Sequence, residues 1–239
     1  MPDQEPRGPG YLPEPQVEAM FDRIAGVYDR LNSVMTAGLH HRWRRRAVDL
    51  AAVSPGDLVL DVATGTGDLA LELLRRVGPS GQVVGADFSQ GMLELARVKD
   101  PSGAIRWEQA NALALPYADG EFAAVTVGFG VRNFSDLDRG LAEMARVVRP
   151  GGKVVILEIT TPQRPPLSSF FKLWFDKIVP LLGRVGGDSE AYSYLPDSVR
   201  RFPGPAELAG RMAAVGLKDV RYVLTAGGII ALHVGTVGK

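Results

Sequence analysis

The stretch "LVLDVATGTGD", Leu58 to Asp68, decides how this chain is to be read. Leu58 to Val62 is apolar except for Asp61, the pattern of a strand buried on both faces, and a glycine-rich turn follows at once. Gly65 and Gly67 remove side chains where the backbone leaves the strand, so that it can approach a ligand at the carboxyl edge of a sheet. A dinucleotide turn would carry a third glycine where this chain has Ala70, a permitted variant. The turn alone therefore fits several nucleoside cofactors.

Downstream, short apolar runs alternate with helical patterns. "QVVGADFS" (82–89), "AIRWEQAN" (104–111), "FAAVTVGFG" (122–130) and "RPGGKVVILEIT" (149–160) read as strands. Helices are expected over 69–77, 89–97 and from Ser135 to Val148, with Ser135 and Asp138 resembling a capping pair. After a helical insertion at 167–208 come a helix over 205–215 and two strand-like runs, "DVRYVLT" and "GGIIALHVGT", joined by a hairpin turn at "AGG". Repeated strand–helix–strand units predict an α/β doubly wound, Rossmann-like domain. A mostly parallel seven-stranded sheet closed by a C-terminal antiparallel hairpin is the layout of class I S-adenosylmethionine-dependent methyltransferases.

Upstream, "MPDQEPRGPGYLPEP" reads as a flexible arm over 1–16, and a single methyltransferase domain is expected over 17–239. Its first part, 17–53, is helical. Val17, Met20, Phe21, Ile24, Val27, Tyr28, Leu31, Val34 and Met35 repeat at helical spacing, with Asp22, Arg23, Asp29 and Arg30 on the polar face. A second helix from Leu39 to Val53 is expected to bury Leu39, Trp43, Ala47 and Leu50, before "SPGD" turns the chain. Within it, "HHRWRRR" invites a metal or nucleic-acid reading. Adjacent histidines point about 100° apart and no cysteine can complete a metal site, so no metal is expected. The arginines read as a solvated face, with Arg45 one turn before Asp49 and charge left over for anionic headgroups.

Composition agrees with a soluble globular chain: 239 residues, 46% hydrophobic, 23% charged, and 27 basic against 27 acidic residues. That balance lacks the basic excess that phosphate-backbone binding uses, so no nucleic-acid partner is expected. The absence of cysteine excludes disulfides and thiolate chemistry and fits a cytoplasmic protein.

The second strand ends in Asp87, about 20 residues past the turn, where a carboxylate can accept from both ribose hydroxyls of a nucleoside. Phe88 stands beside it. Asn111 and Ala112, after the third strand, can read an adenine through an amide and a backbone N–H. Asp61 and Asp68 make the turn acidic, which suits a cationic sulfonium better than a pyrophosphate. An NAD-dependent oxidoreductase is the runner-up, disfavoured by that acidity and by the lack of a Tyr-x-x-x-Lys pair. A nucleic-acid methyltransferase and a non-enzymatic binding module are further alternatives.

"YDRLNSVMTAGLHHRW" (28–43) and "RVVRPGGKVVILEIT" (146–160) resemble the two signatures of the menaquinone/ubiquinone biosynthesis C-methyltransferases. "MFDRIAGVYD", "GFGVRNFSD", "YSYLPDSVRRFP" and "TAGGIIALHVG" resemble that family too, so the likeness runs from about Val17 to Lys239. Leu31, Thr36, Arg149 and Thr160 depart mildly from its pattern, and Gly128 stands where relatives can carry Ser. The resemblance implies S-adenosylmethionine contacts at Thr66, Asp87, Asn111 and Ala112. With Asp61, Gly65, Gly67, Phe88 and Gly128 these make up the expected cofactor set.

It also implies a prenylated quinol substrate, demethylmenaquinol first and a polyprenyl-methoxy-benzoquinol second. Methyl transfer to ring carbon needs an electron-rich ring, hence the reduced quinol. Arg132 and Asn133, just past the fourth strand, are the first choices for polarising a quinol hydroxyl, unless Arg132 merely pairs with Asp136 or Asp138. For the base, Tyr28, Asp29, His40, Tyr194 and His233 are open, with Tyr28 and His40 inside a helical lid over 17–53. The stripe Leu167, Phe170, Phe171, Trp174, Phe175, Ile178 and Leu181 reads as core and as cover for a prenyl tail. Peripheral contact with the inner face of the membrane follows from such a substrate, and a homo-oligomer is left open.

Overall fold

A computed structural model describes residues 13–36, 38–163, 165–173 and 189–238. β1 (Leu58–Val62) is an interior strand of the sheet, as its apolar run requires. It pairs in parallel with β2 (Gln82–Asp87) and β4 (Phe122–Gly128), with Asp61 opposite Gly85 and Thr126. β3 (Ile105–Gln109) adds beyond β2, and β5 (Val148–Ile159) beyond β4. The chain then reverses, and β6 (Lys218–Thr225) and β7 (Ile230–Thr236) complete seven strands in the order β3-β2-β1-β4-β5-β7-β6. β7 is antiparallel to both β5 and β6, as the closing hairpin predicts, with a short 3-10 turn at Ala226–Gly228.

Each sheet face carries its own core. α2 (His40–Ala51) and α3 (Asp68–Val77) cover one, where Trp43, Ala47, Leu69 and Leu73 pack on Val59, Val83 and Val155. On the other face α5 (Leu137–Arg146) and α8 (Pro205–Ala214) bring Leu141, Met144, Leu208 and Met212 onto Leu60, Val84 and Ile156. α4 (Gln90–Lys99) links β2 to β3 and contacts α1 (Glu14–Thr36). Beyond β5 come α6 (Leu167–Leu173) and α7 (Ser189–Arg201), where Phe171 and Val199 form a small cluster with Ile159 and Ile229.

Several boundaries differ from expectation for local reasons. α1 begins at Glu14, inside the expected arm, because the carbonyl of Pro13 already accepts from the amides of Gln16 and Val17. α5 is capped by Asp136, whose carboxylate accepts from the Arg139 amide at 3.0 Å, rather than by Ser135. β5 starts at Val148, so Pro150, Gly151 and Gly152 lie within the strand at an irregularity opposite Phe122 and Ala124. A Cβ on Gly152 would stand 2.5 Å from the Ala123 carbonyl. Leu39 is exposed, and the buried stripe of α2 is His40, Trp43, Arg44, Ala47, Val48 and Ala51. Asp49 pairs with Arg76 rather than with Arg45. Within the tail stripe, Trp174, Phe175, Ile178 and Leu181 lie outside the described residues, as does the arm up to residue 12.

Candidate active site

The carboxyl ends of β1, β2 and β4 frame a cleft of about 700 Å³ that opens to solvent. Gly65, Asp87, Phe88, Asn111, Ala112, Gly128 and Asn133 all line it. Asp87, at the tip of β2, organises the donor side. Its Oδ2 accepts from the Gly65 amide at 2.8 Å and its Oδ1 from the Ser89 amide at 2.9 Å, which ties the glycine turn to the second strand. Burial pushes its carboxyl up to about 6 against the lowering effect of those amides, with the Asp22 charge adding a small upward push.

The two turn glycines do different work. Gly65 has φ +56 and would place a Cβ in open space, so its backbone faces the cleft bare. Gly67 has φ +82, and its missing Cβ is replaced by the indole of Trp107, 2.4 Å from where that atom would lie. Trp107 fills the same role against Gly85. Gly67 thus serves packing beneath the turn rather than close approach of a ligand.

The carboxylates expected to make the site acidic are mostly compensated. Asp61 accepts from the hydroxyls of Thr64 at 2.6 Å and Thr126 at 2.5 Å and does not line the cleft. Burial raises it to about 6, opposed by those two hydroxyls. Asp68 binds Lys99 at 2.7 Å and Arg44 at 3.1 Å. Burial raises it, yet the two cations overcome that and hold its carboxyl below the usual range. Thr66 is buried, and its hydroxyl accepts from Lys99 at 2.8 Å behind the turn.

Asn111 is exposed on the rim, where its Oδ1 accepts from the Leu113 amide at 2.8 Å. Gly128 is tight, since a Cβ there would lie 3.2 Å from a Leu69 methyl. Two non-glycine residues of the wall, Ala63 and Phe129, hold left-handed backbones with φ of 49° and 62°. They close against Gly130, where any Cβ would fall 2.6 Å from that of Ala63. Arg44 places its guanidinium 6.0 Å over the Phe129 ring, and Arg132 donates to the Phe129 carbonyl.

On the acceptor side the expected residues do not gather as a set. Asn133 reaches the cleft and accepts from the Tyr194 hydroxyl at 3.2 Å, which brings α7 to the rim. Arg132 lies behind the wall, ion-paired with Glu158 at 2.9 Å, both side chains more than nine-tenths buried. Neither Asp136 nor Asp138 is the partner shown; Asp138 binds Arg211. His40 is buried against the Arg44 guanidinium. His233 sits mid-sheet between Ile156 and Tyr222, with Nε2 at 2.9 Å from the Pro205 carbonyl, and burial lowers its pKa. Neither histidine lines the cleft. Tyr28 and Asp29 belong to α1, but their side chains lie outside the described residues.

Arg44, Lys99, Trp107 and Glu158 were not singled out from the sequence, and Phe21 and Asp22 were read only as faces of the first helix. For Arg44 a signal existed: it falls in the apolar stripe of α2, four residues from His40 and from Val48.

A cleft open to solvent, with a buried carboxylate able to accept from two hydroxyls, a bare glycine backbone and an edge at Asn111 and Ala112, fits a nucleoside. The antiparallel β7, inserted between β5 and β6, then defines the class, a class I S-adenosylmethionine-dependent methyltransferase. Solved structures bear the fold out. A methyltransferase from Thermotoga maritima aligns with TM-score 0.64 and 18% identity over 91% of this chain and 98% of that one. The [4+2]-cyclase SpnF aligns with TM-score 0.65 and 18% identity over 94% and 96%. The chain belongs to the ubiE/COQ5 methyltransferase family, whose model matches residues 11–237, and is with it an S-adenosylmethionine-dependent C-methyltransferase. The demethylmenaquinone methyltransferase of Thermus thermophilus is 47% identical over 90% of this chain and 99% of that protein. The ubiquinone/menaquinone biosynthesis C-methyltransferase UbiE of a Geobacter species is 44% identical over 92% and 96%.

Proposed function

We propose that this enzyme methylates a ring carbon of a polyprenylated quinol, with demethylmenaquinol as the substrate and menaquinol as the product. The similarity to the Thermus thermophilus demethylmenaquinone methyltransferase, 47% over nearly that whole protein, carries the reading. Methylation of a benzoquinol on the way to ubiquinone is the second reading, supported by relatives at 44% that bear both names.

S-adenosylmethionine supplies the methyl group as an electrophile when bound. Asp87, Gly65, Asn111 and Ala112 hold and orient the nucleoside, and the rim at Asn133 with Tyr194 orients the quinol hydroxyls. Arg132 acts through shape as well as charge. Its positive charge is balanced by Glu158, and its guanidinium fixes the Phe129 carbonyl that forms the wall. A quinol reduced to its hydroxyl form is required because the attacking carbon must be electron-rich. We place the enzyme in the cytoplasm, at the inner face of the membrane that holds a prenylated substrate; no described helix is long and apolar enough to cross a membrane.

The test is transfer of labelled methyl from S-adenosylmethionine to reduced demethylmenaquinone and to the benzoquinol, each with its oxidised form as control. Preference for reduced demethylmenaquinone is expected. Transfer to neither quinol would overturn the proposal.

A further inference from the structure

α1 meets the donor side of the cleft through Phe21, and Asp22 ties it to α4 there. Phe21 lines the cleft and meets the Phe88 ring edge-on, with centroids 6.3 Å apart. Its neighbour Asp22 points at the start of α4, 67 and 69 residues further along the chain. There the Asp22 Oδ1 accepts from the Ser89 hydroxyl at 2.5 Å and from the Gly91 amide at 3.1 Å. The amides of a first helical turn have no partner within the helix and favour a negative charge.

Ser89 is fully buried and joins two carboxylates. Its hydroxyl donates to Asp22, its amide donates to the Asp87 Oδ1 at 2.9 Å, and its Oγ accepts from the Met92 amide at 3.1 Å as the cap of α4. One residue thus sets both the helix that covers the cleft and the carboxylate that faces the cofactor ribose. Gly91 leaves no room for error in this contact, because a Cβ there would stand 2.9 Å from the Asp22 Oδ1.

We infer that Asp22 is a positioning residue for the cofactor: it latches α1 over the nucleoside by holding Ser89 and Gly91 at the start of α4. The latch rests on the reading of the cleft as the S-adenosylmethionine site. It retains the cofactor rather than reacting, since Asp22 reaches the site only through Phe21 and Ser89. Releasing it frees the helix while the sheet-edge contacts of Asp87 and Gly65 persist.

The experiment measures S-adenosylhomocysteine binding by calorimetry and stopped flow for the wild type, Asp22→Ala and Asp22→Asn. Losing a hydrogen-bonded charge that is partly open to solvent should weaken binding by about tenfold in Asp22→Ala, mostly through faster dissociation. KM for S-adenosylmethionine should rise with kcat little changed. Asp22→Asn keeps an acceptor oxygen and should recover much of the loss. Hydrogen exchange without ligand reads the latch directly, with faster exchange in α1 of Asp22→Ala and no change in the sheet. Wild-type dissociation and wild-type exchange in Asp22→Ala would overturn the latch, as would equal losses of stability in the sheet and in α1. A wild type that binds NADH and not S-adenosylhomocysteine would instead overturn the cofactor reading, while the exchange result would stand apart.

Discussion

The two sides of the cleft are made by different means. On the donor side, Gly65, Asp87, Ser89 and Ala110 lie at the ends of β1, β2 and β3 and every tie uses a backbone amide: those of Gly65 and Ser89 donate to the Asp87 carboxylate, and that of Ala110 to the Asp87 carbonyl at 2.9 Å. On the acceptor side the wall is held by side chains from distant elements, Arg132 to Glu158 and Asn133 to Tyr194. Backbone geometry survives wide change of sequence, which is why structures only 18% identical share the fold. Side-chain ties need particular residues, so the acceptor side depends on the identities of Arg132, Glu158, Asn133 and Tyr194 in a way that the donor side does not.

The largest test of this contrast is Arg132→Ala. It would leave Glu158, 1% exposed, as an uncompensated charge in the wall. About 3–5 kcal/mol of stability should be lost, measured by urea unfolding, because a buried charge without its partner is not rehydrated. A loss of turnover in that variant would not by itself prove quinol polarisation. Arg132→Met combined with Glu158→Leu separates the two: stability should largely return, and any remaining loss of turnover belongs to the charge. A double variant as unstable as the single one would show that packing, not charge, holds the wall.

Next in size is Gly67→Ala. The added methyl would lie 2.4 Å from the Trp107 ring on a backbone at φ +82. Overpacking and left-handed strain together should cost about 2–4 kcal/mol in thermal or chemical unfolding. Gly65→Ala, with nothing within 4 Å, should cost about 1 kcal/mol of stability yet weaken cofactor binding more than it destabilises. Equal effects of the two would remove the distinction drawn between them.

The strands, their order of appearance and the closing hairpin were legible because apolar runs and turn glycines are local signals. Asp87 was legible for the same reason, standing at the end of "QVVGAD". The network around Asp68 was not, because Arg44 comes from before β1 and Lys99 from the far end of α4, and spacing alone does not bring such residues together. Reading "HHRWRRR" as one solvated face missed that Arg44 lies in phase with Ala47, Val48 and Ala51. His233 shows the reverse error. A histidine between apolar neighbours on a strand proved to be a buried group bonded to the Pro205 carbonyl, away from the cleft.

The donor side also carries a pH signature. Burial raises Asp61 and Asp87 to about 6 in the folded protein, from 3.8. Between those values the folded chain binds protons that the unfolded chain has released, so their contribution is present below about pH 4 and lost as pH rises through about 6. Ligand-free protein should therefore melt at lower temperature as pH rises across that window, as far as these two groups are concerned. If Asp87 holds the ribose as proposed, cofactor affinity should move the other way, because hydroxyls donate to the ionised carboxylate. S-adenosylhomocysteine binding is expected to weaken by about tenfold per unit below pH 6, and Asp87→Asn should be weak and flat. A flat wild-type profile between pH 5 and 7 would refute the role given to Asp87.

The smallest expected effect probes the acceptor side alone. Tyr194→Phe removes one neutral hydrogen bond, the 3.2 Å donation to the Asn133 Oδ1, and leaves the ring packed within α7. Such a bond contributes about 0.5–1.5 kcal/mol, which corresponds to a loss of roughly two- to tenfold in kcat/KM for the quinol. Asn133 would keep its place on the rim but lose the group that fixes its rotamer, so KM for the quinol should rise more than kcat falls. S-adenosylhomocysteine affinity should not change, because the hydrogen bond removed ends on Asn133 and not on Asp87, Gly65 or Ser89. A change in that affinity equal to the change in quinol KM would show the two sides to be one coupled unit, and the division between backbone-built donor side and side-chain-built acceptor side would fail.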